Sequence, residues 1–92
     1  MSKLAEKRVA KGVALLDKKV PNGWRECINP HTLDVSDYDL CVLGQIYGNY
    51  SLGTSALGLF SYDQRVRLGF TASYRCQHAD LTAAWLKELT PQ

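Results

Sequence analysis

Four side chains are the most apt for chemistry in this 92-residue chain: Cys27, His31, Cys76 and His78. Thiolate sulfur and imidazole nitrogen are the donors that zinc prefers. Their spacing argues against a centre, because C-x3-H and C-x-H are not the paired short turns that gather zinc ligands. Cysteine is otherwise a small apolar residue that favours the interior. Cys76 and His78, with Asp80 following, hold the residue types of an activated thiol. Such a nucleophile needs a base, an orienting group and an oxyanion site converging on one point, and Asp80 is expected to cap a helix instead. Asp34, Asp37 and Asp39 crowd carboxylates together, yet they match no calcium loop with its closing glutamate. Turn-making and capping account for Asp34 and Asp37, and Asp37 is expected to cap the helix that follows it. No catalytic residue, metal ligand or cofactor site is assigned, and the chain is expected not to be an enzyme. A Cys/His metal protein is kept as a second alternative.

The stretch "GNYSLGTS", Gly48 to Ser55, comes close to the phosphate-binding pattern G-x-x-x-x-G-K-[ST]. The lysine that would meet the β- and γ-phosphates is Thr54, and the segment in front reads as a helix where the motif needs a strand. The glycines are expected to turn corners: Gly48 as a left-handed helix end, Gly53 and Gly58 as points of close packing. No G-x-S-x-G, H-E-x-x-H or G-x-G-x-x-G occurs.

Charge is the remaining chemistry. The formal net charge is +2, too small to imply nucleic-acid binding. Its distribution is uneven. The first twenty residues carry Lys3, Lys7, Arg8, Lys11, Lys18 and Lys19 against Glu6 and Asp17 alone. Lys3, Lys7, Lys11 and Lys18 fall along one side of a helix and are the expected partner-binding residues, with Tyr50 or Tyr62 as exposed companions. A solvated helix face is the plain alternative. Arg65, Arg67 and Arg75 would enlarge the basic patch if folding brings them near. The other aromatic residues are expected inside.

These residues must be positioned by a small scaffold. The composition, 46% hydrophobic and 22% charged, is that of a globular protein, and 92 residues make one domain spanning 1–92. So short a chain buries a limited fraction of its surface, so self-association or a partner would add stability. Ala5, Val9, Gly12, Val13, Leu16 and Val20 share a helical face. They predict an amphipathic helix over Lys3 to Lys19, with Ser2 as its cap and Pro21 beyond its end. Leu40 to Tyr47 reads as a buried helix, and a further short helix, opened by Ser51 or Thr54, is expected before Gly58. Leu81, Ala84, Trp85 and Leu89 predict a last helix, with Pro91 past its end. Residues 24–28 read as a short strand, or alternatively Asn29-Pro30 caps one helical turn at "PHTL", and the alternation of Val66, Leu68 and Phe70 reads as a second strand. The expected fold is mainly α, a compact bundle of four or five short helices. An α+β form is left open, with a two-stranded ribbon pairing 24–28 with 65–70.

The run "RVAKGVALLDKKVPNGWRECINPHTLDVSDYDLCVLGQIYGNYSLGTSALGL", followed by "RLGFTASY" and "LTAAWLKEL", resembles a group of small proteins encoded by actinobacteriophages, mycobacteriophages among them. The likeness is most marked at "ALLD", Trp24-Arg25, Leu33-Asp34, "CVLGQIYG" and "LTAAW". The group brings no catalytic motif. The resemblance implies a non-structural accessory product in a bacterial cytoplasm during infection, of the kind that binds a host protein and interferes with host physiology, growth included. The host target could be any protein with an acidic surface, or a nucleoid-associated one. The first alternative is a small nucleic-acid-binding or nucleoid-associated regulator, for which the paired helices of Leu40 to Leu59 supply a shape. That reading is weakened by "LGTSALGL", which lacks the Arg, Lys, Asn or Gln that read base edges. Three cysteines and no long apolar run fit a cytoplasmic location without a disulfide framework or a membrane span.

Overall fold

Helix α1, Lys3–Lys19, sets the frame. Ala5, Val9, Gly12 and Leu16 are buried along it, and the steps of four, three and four residues keep them on one stripe. Glu6 in its first turn and Lys18 and Lys19 in its last complement the helix dipole. The computed structural model describes residues 3–20, 22–74 and 76–89. Ser2, Pro21, Arg75, Pro91 and the side chain of Cys76, each invoked above, lie outside the described residues. Four more helices follow: α2 Val42–Tyr47, α3 Tyr50–Ala56, α4 Tyr62–Arg67 and α5 Cys76–Leu89. The chain forms a mainly α bundle, and no strand occurs among the described residues. Its Cα radius of gyration is 11.6 Å, just under the ~12 Å expected of a globular chain this long.

The ribbon that the sequence left open does not form. Residues 25–27 make a 3-10 turn, closed by Cys27 N–H to the Trp24 carbonyl at 3.1 Å and Ile28 N–H to the Arg25 carbonyl at 3.2 Å. Trp24 and Ile28 are both buried and stand four apart, an interval that keeps both on one face in a strand or a helix alike, so it is these bonds that identify the turn. The second supposed strand is α4 and the turn behind it. Ser61 Oγ accepts from Gln64 N–H at 3.2 Å, and Gln64 Oε1 accepts from Ser61 N–H at 3.2 Å. This reciprocal cap starts the helix, and Gly69 N–H to the Val66 carbonyl and Phe70 N–H to the Arg65 carbonyl end it. The alternation of Val66, Leu68 and Phe70 thus records a helix end plus a turn, not a pleat.

Two tryptophans hold the bundle together. Trp24 is 1% exposed and Trp85 is 0% exposed. Their rings meet edge to face with centroids 6.1 Å apart, and Phe70 stacks on Trp85 at 5.5 Å. Such aromatic pairs add about 0.5–1.5 kcal/mol beyond burial. Each indole N–H is satisfied: Trp24 donates to Asp17 Oδ1 at 2.9 Å, and Trp85 donates to the Gly69 carbonyl at 2.8 Å. Gly12 gives the Trp85 ring its seat on α1, since a β-carbon there would stand 2.9 Å from that ring. Trp85 therefore ties α5 to α1 and to the turn after α4.

The irregular segment 28–41 is a strap across this core. Its own Ile28, Leu33 and Val35 are buried. Its backbone is pinned near its start by Asn29 N–H to Gln45 Oε1 at 2.6 Å and at its middle by Val35 N–H to Thr82 Oγ1 at 3.0 Å. The expected turn at "PHTL" is present as Thr32 N–H to the Asn29 carbonyl at 3.2 Å. Cys41, not Asp37, caps α2, its sulfur accepting from Gly44 N–H at 3.3 Å. Asp37 stabilises the turn just before, accepting from Asp39 N–H at 2.8 Å and Leu40 N–H at 2.9 Å.

Candidate functional site

The stretch from Gly48 to Ser55 is a corner between α2 and α3. Gly48 ends α2 with φ of 109°, a conformation that side chains disfavour. Asn49, rather than Ser51 or Thr54, caps α3. Its Oδ1 accepts from Leu52 N–H at 2.8 Å, while Tyr50 N–H donates to the Tyr38 carbonyl at 2.9 Å and Gly53 N–H to the Asn49 carbonyl at 3.1 Å. A phosphate cradle needs such amides free to face the ligand, and here they are engaged. Gly53 lets the two helices close, because a β-carbon there would meet Leu43 Cβ at 2.6 Å. The exposed positions of α3 are Ser51, Leu52, Ser55 and Ala56, so this helix offers no cation to DNA.

The Cys/His and carboxylate groups are dispersed or engaged. Cys27 and His31 are exposed beside the 3-10 turn, and no group of three or more metal-ligating side chains gathers among the described residues. Positions 76 and 78 open α5, and residues two apart on a helix do not face each other. Asp80 lies inside α5 rather than capping it. His78 neighbours the strap, where it lines an open cleft with Asp34 and Ser36. Asp34 accepts from Ser36 N–H at 3.0 Å and Ser36 Oγ at 2.6 Å. These bonds, helped by the charge of His78, hold its carboxyl below the ordinary carboxylate range.

Helix α1 presents its basic side outward. Lys3, Lys7, Lys11 and Lys18 are all exposed, and among the described residues none of the four pairs with a carboxylate. The nearby acids are occupied elsewhere. Glu6 meets Lys87 at 3.7 Å, and Asp17 is shared between Trp24 and Arg25. Burying the apolar stripe of α1 turns the lysine side to solvent, so exposure follows directly from amphipathicity.

A groove of about 100 Å³ runs beside this face, lined by Leu4, Lys7, Arg8, Lys11 and Arg67. Arg67 thus joins the α1 cations, held at the rim by Asp63 at 2.8 Å. Arg65 does not: its Nε donates to the Leu59 carbonyl at 2.7 Å and its guanidinium lies 5.5 Å from the Tyr50 ring centre. Arg8 counted among the basic residues of the first twenty without a place on the lysine face, and Leu4 was left out of the sequence reading. Leu4 is apolar and was assigned to neither face, yet it is 49% exposed. The aromatics also divide differently from expectation. Tyr38, Phe60, Tyr62 and Tyr74 are exposed, whereas Tyr50 is half-buried and its hydroxyl pKa is raised by burial. Tyr62 anchors itself by donating to the Ala72 carbonyl at 2.7 Å.

Among the described residues, no helix is long and apolar enough to cross a membrane. Comparison of the chain with protein-family models, with curated proteins and with solved structures returned no match.

Proposed function

We propose that this chain is a non-enzymatic accessory protein of phage type, acting in a host bacterial cytoplasm by docking α1 on an acidic surface of a host protein and altering that protein's work. One observation carries the reading: Lys3, Lys7, Lys11 and Lys18 are exposed and, among the described residues, without a carboxylate partner. Aligned like charges repel one another, and an acidic partner relieves that repulsion while steering its own approach. The phage setting rests on the sequence resemblance alone.

Capture from a mycobacterial lysate tests the proposal. The wild-type chain is expected to enrich one host protein, and a Lys7→Glu/Lys11→Glu double variant with an unchanged melting temperature is expected to lose it. Undiminished capture by the double variant would remove α1 as the contact. Nuclease-sensitive capture would favour the nucleic-acid alternative, in which phosphate contacts dominate.

A further inference from the structure

We infer that the groove between α1 and α4 grips an extended acidic segment of the partner, with an apolar residue followed at the second and fourth positions by carboxylates. This rests on the reading of α1 as the docking face. The groove combines two kinds of wall. Leu4 supplies an exposed apolar end, and Lys7, Arg8, Lys11 and Arg67 supply four cations. Among the described residues, the one carboxylate bonded to any of these cations is Asp63, on Arg67, so the groove keeps a positive surplus. Its volume of about 100 Å³ lies well below the roughly 300–1,000 Å³ of small-molecule sites. It is a notch for one side chain beside a charged track.

The spacing accommodates an extended segment. Lys7 and Lys11 stand one turn apart, about 6 Å along the helix at 1.5 Å per residue. Alternate residues of an extended chain point the same way at intervals of about 6.6 Å. Carboxylates two residues apart on such a chain therefore reach Lys7 and Lys11 together, with the Arg67 guanidinium at the rim to add a forked donor. Leu4 stands three residues before Lys7, about 4.5 Å along the helix, so an apolar side chain two residues further back reaches the Leu4 end of the groove and slightly beyond it. A nucleic-acid strand would match the charges but not the leucine, and none of the groove residues is aromatic for a base to stack on.

Fluorescence anisotropy with three labelled probes tests this. The first is the peptide Gly-Ser-Leu-Ser-Glu-Ser-Glu-Ser-Gly. The second has the same composition with one glutamate moved by a single position, which turns it to the opposite face. The third is a single-stranded DNA 12-mer. The first peptide is expected to bind best. Leu4→Ser and Arg67→Gln are each expected to weaken it, and Lys7→Gln/Lys11→Gln by about fivefold to tenfold, as two exposed charge contacts predict. Lys18→Gln, outside the groove, is expected to leave it unchanged. Equal binding of the second peptide, or tighter binding of the DNA, overturns the inference. If Lys7→Glu/Lys11→Glu abolishes host-protein capture while Leu4→Ser and Arg67→Gln change nothing, the docking face stands and the groove falls. If none of these variants affects capture, both fall.

Discussion

Asp17 sits where the last turn of α1 meets the buried Trp24 and the exposed Arg25. It accepts the indole N–H at 2.9 Å and the guanidinium at 3.0 Å. The Trp24 bond first, and the Arg25 bond second, hold its carboxyl below the ordinary value of 3.8. A group whose pKa is lower in the folded state stabilises the fold above its unfolded pKa, and that contribution is lost as pH falls through the folded value. Asp17→Asn is therefore expected to melt at a lower temperature than the wild type at pH 7. Below about pH 4, where carboxylates protonate, the two melting curves should converge. A gap that stays constant down to about pH 2 would contradict this assignment. Asp34 adds to the same acid limb through its Ser36 bonds, so the variant retains a shallower pH dependence. On the alkaline side, burial raises the Cys41 thiol above 9.0 and the Tyr50 hydroxyl above 10.0. Their contributions fade as pH climbs past those ordinary values.

Among the elements, α4 separates periodicity from capping as signals. Six residues are too few to display a helical period, and Val66, Leu68 and Phe70 imitate a strand because a turn follows the helix. The Ser61 and Gln64 pair, a capping box that the sequence reading passed over, marks the helix start. Ser61→Ala should lower stability by about 1 kcal/mol, a fall in melting temperature of about 4–8 °C for a domain of this size. An unchanged midpoint would mean that the box does not start the helix. By contrast, α1 was legible along its whole described length, since seventeen residues give the apolar stripe room to repeat. The segment at 24–28 failed for a related reason: two anchors, Trp24 and Ile28, fit a short strand and a helical turn equally until the Asp17 bond places the indole. The lysines of the candidate site were legible because they belong to that same long helix. Leu4 was not, and Arg67 was offered only on condition that folding bring it near, because a groove between α1 and α4 exists only once α4 is a helix and the Trp85–Gly69 bond has drawn that corner of the fold together.

The whole molecule turns two unlike surfaces to solvent. One is the lysine side of α1 with the notch beside it. The other comprises the exposed aromatics at and around α4, Phe60, Tyr62 and Tyr74, each more than half exposed. Exposed aromatics are an ordinary feature of interfaces, so both surfaces compete as docking sites, and the charge argument favours the first. The most direct discrimination is an amide chemical-shift map of the isotope-labelled chain, recorded on adding the purified host protein that it captures. The account predicts the largest changes at Leu4, Lys7, Arg8, Lys11 and Arg67, diminishing as salt is raised toward about 1 M, where the screening length shrinks to about 3 Å. Changes centred on Phe60, Tyr62 and Tyr74, with the α1 amides unmoved, would contradict it.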